Sequence, residues 1–465
     1  MDVKKAIDWV ENHKADIFNS LAELVAIQSI STDDDHHQEI NHCAQVVCDQ
    51  MRAAGFSHVE ILETEGAFPY VFGEIPAPPG APTLLMLSHY DVQPLNYIEQ
   101  WQSDPWILNS RNGRLFGRGA ADDKGGVVAQ IAAVKAWTHG AGKCPVGIKL
   151  LVEGEEEIGS KHLLDLIRSN PSRFQADALV VCDTENLAVN LPCITYSLRG
   201  VVTLKIMVRS AQFPSHSGMV GGTLADPALG LCQILGKLCW NRGPIPVPGL
   251  YDQVRPMTSA EKEACRRAPM DEATWRKDLG VLPGVSLSLE TGKTIAEETW
   301  RRPSITAIAL EASTIKGASN QVLPSAEAIL SCRIVPDQTP ETVFNSIAKY
   351  LSQSPPWGME VSVESLGAPV KWWLTKPEGP GFQAAMESLK LGFGNEPLAI
   401  GCGGTIGFVE PLEELLGGVP SLLLGIEDPQ SNAHAPNESL HEADWYSLIK
   451  SMVHLIHLYP KNHST

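Results

Sequence analysis

Three near-continuous apolar runs constrain this chain more than any other feature. They lie in TLLMLSHYDV at 83–92, VGIKLLVEGEEEIGS at 146–160 and ADALVVCDTEN at 176–186, and each breaks off into polar residues. Strands that are apolar on both faces are covered by helices on both sides, which is the pattern of a partly parallel sheet. Helical text lies between them, GGVVAQIAAVKAWTHG at 125–140 and KHLLDLIRSNP at 161–171. The polar endings carry His89 and Asp91, then the acidic run through Glu157, then Asp183. The carboxyl edge of such a sheet is where ligand sites are built.

The remaining text divides at about residue 200. Before it, the N-terminus reads as one amphipathic helix through Ile7, Val10, Ile17, Leu21 and Leu24. Residues 41–53 read as a further helix, and 59–66 and 69–75 as strands. Beyond it, 201–210 reads as an edge or half-buried strand and 226–240 as a helix. Residues 305–313 and 326–336 read as antiparallel strands, 339–353 as a helix and 359–367 as a strand. That βαββαβ order predicts a small ferredoxin-like α+β domain. Residues 240–300, rich in Pro, Arg and Trp, resolve into no elements. After 373 the α/β style returns: a helix at 381–391, Gly-rich 401–407, a strand at 419–428 and a helix at 440–459. The expected organisation is a catalytic domain split into 1–199 and 373–465 around an inserted domain at 200–372.

Composition excludes some partners. The formal charge of −18 argues against nucleic acid and against an anionic membrane surface, both of which need a positive face. Charges interrupt the N-terminal text, so it has no signal-peptide core, and no window is apolar enough to span a bilayer. Ten cysteines without a CxxC pair read as reduced, partly buried thiols in a cytoplasmic protein.

Five short segments carry chemistry. In Ser88-His89-Tyr90-Asp91 the His and Asp share one face at period two, so the acid can tune a metal-binding imidazole. By itself the pair is a weak signal and reads first as a chance or core feature. Gly117–Gly126 (GRGAADDKGG) is a turn opening a helix, where Asp122 can bridge cations and Asp123 can be a plain cap. It lacks the GxxxxGK[ST] spacing of a phosphate loop. Glu153, Glu155, Glu156 and Glu157 either face solvent or surround cations. Asp183 ends its strand, with Glu185 as a competing ligand. His434 lies in a loop after the 419–428 strand. Taken together, His89, Asp122, Glu157, Asp183 and His434 form a mixed N/O set suited to zinc, with manganese or cobalt admitted. Two cations sharing Asp122 can hold a water, with Glu156 as general base and Asp91 orienting His89.

SHYDVQP, WQSDPW, LFGRGAADDKGG, EGEEEIGS, PCITYSLRG, HSGMVGG, SCRIVP and NAHAPNE occur in that order across nearly the whole chain. This series resembles the M20 family of metallopeptidases and amidohydrolases, most closely its cytosolic non-specific dipeptidase and carnosine dipeptidase branch. The resemblance implies two divalent metal ions per subunit. His89 and Asp183 hold one, Glu157 and His434 the other, and Asp122 bridges. It also implies a homodimer in which His216 of the insert reaches a neighbouring subunit's site and stabilises the oxyanion. Arg333 is expected to bind the substrate's carboxylate, with Asn320, Gly403, Gly404 and Thr405 lining the substrate site. The chain departs from the dipeptidase pattern in AQFPSHSG before His216 and in the CGGTIGFVEP loop, both of which shape specificity. The implied reaction is hydrolysis of an amide beside a free carboxylate, in a dipeptide or short peptide. The alternative substrate is an N-acyl amino acid, and a metal-binding protein without hydrolytic activity is the non-enzymatic alternative.

Overall fold

The computed structural model describes residues 2–239 and 242–462. Two compact units emerge, one of residues 1–196, 375–400 and 408–465, the other of residues 197–374 and 401–407.

The first unit opens with α1 (Val3–Asn12) and α2 (Lys14–Val25). The expected single N-terminal helix is therefore broken at His13. There the ring stacks on Trp9, and Nδ1 lies 2.7 Å from the Trp9 carbonyl oxygen. Next come α3 (His37–Ala53) and the strands β1 (His58–Leu62), β2 (Tyr70–Ile75) and β3 (Thr83–His89). Helix α4 (Lys124–Lys135) is buried almost all round, as its Gly, Ala and Val content requires. Strand β4 (Gly147–Glu153), helix α5 (Leu163–Ser169), and strands β5 (Ala178–Glu185) and β6 (Cys193–Leu198) complete the first stretch.

In the second unit, β7 (Gly200–Arg209) and α6 (Pro227–Gly236) precede three short helices, α7 (Ser259–Arg267), α8 (Glu272–Asp278) and α9 (Ile295–Arg301). Then follow β8 (Ser304–Glu311), β9 (Ser325–Ile334), α10 (Pro340–Ser352) and β10 (Glu360–Ser365). These four strands form an antiparallel sheet in the order β8-β9-β7-β10, the ferredoxin-like arrangement. Strand β7 is thus interior, not an edge, because β9 and β10 pair with it on either side. Its alternate residues Val202, Leu204, Ile206 and Val208 are buried in one core with Leu231, Ile234, Val343 and Ile347 of the helices. Helix α6 stops at Gly236, short of the expected 240; Trp240 lies outside the described residues.

The chain returns to the first unit with α11 (Pro380–Phe393), β11 (Ser421–Glu427) and α12 (Glu442–Asn462). Seven strands of its sheet run in the order β1-β2-β4-β3-β5-β11-β6. The pairs β3–β4, β3–β5 and β5–β11 are parallel, and the remaining pairs are antiparallel. Strands β3 and β4 are buried along almost their whole length, which accounts for their unbroken apolar text. All three of the acid-bearing runs therefore end at one edge of one sheet, joined there by β11. No described helix is long and apolar enough to cross a membrane.

Candidate metal centre and substrate-binding residues

His89 is the last residue of β3, and its side chain is 2% exposed. Nδ1 lies 3.0 Å from the Asp91 carbonyl oxygen and 3.3 Å from Oδ1 of the same residue. Donation from Nδ1 leaves the Nε2 lone pair free. Nε2 is buried without a hydrogen bond, 3.0 Å from Asp122 Oδ1 and 3.9 Å from Asp183 Oδ2. On the other side of Asp122, Oδ2 lies 2.8 Å from His434 Nε2, which is 3.3 Å from Glu157 Oε2. Two groups that could hold a metal ion result, His89–Asp122–Asp183 and Asp122–Glu157–His434, with Asp122 common to both. This donor set fits two cations. A buried imidazole lone pair and several crowded carboxylates are costly to leave together without positive charge between them.

The carboxylate of Asp91 is fully buried and organises the acidic run. Oδ1 accepts from the Glu156 N–H at 3.2 Å; Oδ2 accepts from the Glu157 N–H at 3.0 Å and from Ser31 Oγ at 2.6 Å. Gln93 Nε2 donates to Glu157 Oε2 at 2.8 Å. Neither expectation for the four acids holds for all of them. Glu155 is taken up by Tyr70 and by the backbone and ring of His162, and Glu153 accepts from Ser160 Oγ at 3.0 Å. Both are buried and held by hydrogen bonds, whereas Glu157 joins Asp122 and His434 and the Glu156 carboxyl feels the charges of His89, Asp122 and Glu157. Burial pushes the Glu156 carboxyl up to about 7, against the lowering pull of His89.

Asp123 stands at the cap position of α4 but makes no capping hydrogen bond. Instead Oδ2 accepts from the His89 N–H at 3.3 Å, and a Cβ on Gly126 would lie 2.0 Å from Oδ1. The cap reading is therefore replaced by a contact to the His89 backbone. Glu185 belongs to neither ligand group, so Asp183 is the member of that pair placed with His89.

Sequence reasoning passes over the support of Asp122. The carboxylate of Glu438 is fully buried, and Arg118 Nη1 donates to its Oε2 at 2.6 Å. Breaking a buried pair by deleting one partner costs about 3–5 kcal/mol. The NAHAPNE segment offers Glu438 as a motif residue, yet nothing in spacing pairs it with an arginine 320 positions away.

In the second unit the predicted residues form two groups. Arg333 Nη1 donates to Thr405 Oγ1 at 2.5 Å, and Thr405 Oγ1 donates to the Arg199 carbonyl at 2.6 Å. Arg199 Nε donates to the Gly403 carbonyl at 2.9 Å, and the Arg199 N–H to that of Gly404 at 3.1 Å. Nothing in the sequence singles out Arg199 as a clamp on this loop. Elsewhere in the unit, Ser215–His216 pairs with Gln321–Val322, and the Ser217 N–H donates to the Asn320 carbonyl at 2.9 Å. The Gly218 N–H donates to His216 Nδ1 at 3.1 Å. In the neutral ring this puts the proton on Nε2, as a free donor.

The profile of peptidase family M20/M25/M40 matches residues 85–458. The chain belongs to this family of peptidases and is a hydrolase. Cysteinylglycine-S-conjugate dipeptidase of Corynebacterium striatum is 32% identical over 429 residues, 91% of each chain. Human carnosine dipeptidase 1 superposes with a TM-score of 0.87 at 27% identity over 99% of both chains. The M20 metallo-carboxypeptidase Sso-CP2 of Sulfolobus solfataricus superposes with a TM-score of 0.81 at 30% identity, covering 96% of this chain and 99% of that one.

Proposed function

We propose that this chain is a dinuclear zinc dipeptidase, cleaving the amide bond of a dipeptide or short peptide beside its free carboxylate. The observation that carries the reading is Asp122, whose two oxygens face two separate histidine-containing ligand groups. His89 and Asp183 are assigned to one cation, Glu157 and His434 to the other, and manganese or cobalt can occupy the same N/O donors. Cations held by these residues would supply Lewis-acid polarisation of the scissile carbonyl and would acidify the attacking water. Glu156 takes the proton of that water and hands it to the leaving amine. Asp91 holds His89 in the tautomer that leaves Nε2 free, and holds the Glu156 backbone in place.

Residues 1–199 and 373–465 are assigned to catalysis and 200–372 to a lid and dimerisation domain. His216, from the neighbouring subunit of a homodimer, donates Nε2–H to the oxyanion, and Asn320 beside it lines the substrate site. Gly403, Gly404 and Thr405 line the same site. Ten thiols without a disulfide support a reducing, cytoplasmic location.

Arg333 is assigned the substrate's carboxylate, since no described residue offers it an acid partner. Charge-assisted bonds to a carboxylate contribute about 1.5–3 kcal/mol. Arg333→Met is therefore expected to raise KM about 10- to 100-fold, with a smaller change in kcat; an unchanged KM would remove Arg333 from the substrate site.

A panel of dipeptides and their N-acetylated amino-acid counterparts, assayed after zinc reconstitution, tests the reading. Faster turnover of the free dipeptides is expected. Preference for the acylated compounds would turn the assignment to an N-acyl-amino-acid amidohydrolase, and no turnover of either would overturn it.

A further inference from the structure

The Gly-rich turn carrying Asp122 is held by a residue from the far end of the chain. Glu438 Oε1 accepts from the Ala121 N–H at 3.0 Å and from the Asp122 N–H at 3.2 Å. Oε2 accepts from the Gly119 N–H at 3.1 Å and from Arg118 Nη1 at 2.6 Å. One carboxylate thus collects three backbone donors of a four-residue turn. The turn needs such a partner, because Gly119 has a φ of +78° and buried N–H groups left without acceptors are costly. The other side of Glu438 is equally fixed. Its carbonyl accepts from the Gly117 N–H at 3.1 Å, and Ser439–His441 pairs as a strand with Arg114–Phe116. Arg118 is tied down as well, donating Nη2 to the Pro94 carbonyl at 3.2 Å. Glu438 also stands four residues after His434, in the loop that supplies that ligand.

We propose that Glu438 is a positioning residue for the dinuclear centre, setting the backbone of Asp122 so that its two oxygens face the two ligand groups at once. The inference rests on the proposed metal assignment. Glu438 belongs to neither ligand group; it acts through the 119–122 backbone and ties the His434 loop to the bridging carboxylate. Residues that orient metal ligands typically change metal affinity or activity about 10- to 100-fold when replaced.

The test is zinc titration of the full-length chain by calorimetry, alongside thermal melting and kcat. Glu438→Ala risks misfolding, because it leaves Arg118 without its acid. Glu438→Gln keeps one acceptor oxygen of the same shape, and Glu438→Gln with Arg118→Met removes both charges together. Trp137→Leu, which thins the buried core in the helical turn just beyond the end of α4, about 20 Å of helix from the Asp122 turn, reports the effect of lost stability alone. Wild type is expected to bind two zinc ions, and both Glu438 variants to bind at least one of them about 10-fold or more weakly, with kcat reduced. Trp137→Leu is expected to melt earlier and still bind both ions tightly. Glu438 variants that bind two ions with wild-type affinity and differ only in melting temperature would overturn the inference. A wild type that binds fewer than two ions would instead overturn the metal assignment, and this inference with it.

Discussion

Glu156→Gln is expected to lower kcat about 10²- to 10⁴-fold, the span usually carried by a general base, while two metal ions stay bound. The substitution keeps the size of the side chain and the two main-chain hydrogen bonds from Glu156 and Glu157 to Asp91. Ligand geometry should therefore survive. What is lost is a proton acceptor, and an amide cannot take the proton of the attacking water. KM should move little, because the groups assigned to substrate binding, Arg333 among them, are left unchanged. Zinc counting, dipeptide binding measured apart from turnover, and single-turnover kinetics check this together. A Glu156→Gln variant with wild-type kcat would require another base. A variant that had lost zinc would show that Glu156 is a ligand instead.

The second large effect concerns His216. With Nδ1 already accepting from Gly218, the neutral ring presents Nε2–H as a donor. Removing one oxyanion donor typically costs about 10²–10³ in kcat, and His216→Ala is expected to fall in that range. The assignment to a neighbouring subunit makes a sharper statement. Asp91→Ala disables the metal side of its own subunit, whereas His216→Ala disables the partner's site. After subunit exchange of the two dead variants, a mixed dimer has one site with both residues intact. Statistical mixing of a twofold dimer should restore about a quarter of the sites. No recovery, once mixed dimers are demonstrated, would mean that His216 serves its own subunit or none.

The sheet and its reactive edge were legible because their signals are local. An apolar run ending in His-x-Asp or a carboxylate declares both a buried strand and the point where it leaves the core. The ferredoxin-like insert was legible for a similar reason, since the buried residues of β7 and β9 alternate. Residues 240–300 carry two helix starts in plain text. Thr258 with Glu261 and Thr294 with Glu297 are capping boxes that open α7 and α9. The high Pro, Arg and Trp content masked them. The break at His13 is not legible in the sequence, because the apolar spacing continues across it and the interruption comes from a ring stacked on Trp9. Glu438 and Arg199 escaped for a different reason. Their partners lie hundreds of positions away, and buried polar contacts leave no period in a sequence. Glu153 and Glu155 have nearer partners, yet they too read as two more acids of a run, because their buried contacts to Ser160, Tyr70 and His162 leave no mark in the spacing.

The central claim is a two-ion centre built on Asp122, and zinc titration of dipeptidase activity tests it most directly. Chelator-treated protein should be inactive, and activity should rise with added zinc to a plateau at two equivalents per chain. Asp122→Ala should bind both ions weakly and stay inactive over the same range. Full activity in the chelated protein, a plateau at one equivalent, or an active Asp122→Ala variant would contradict the account.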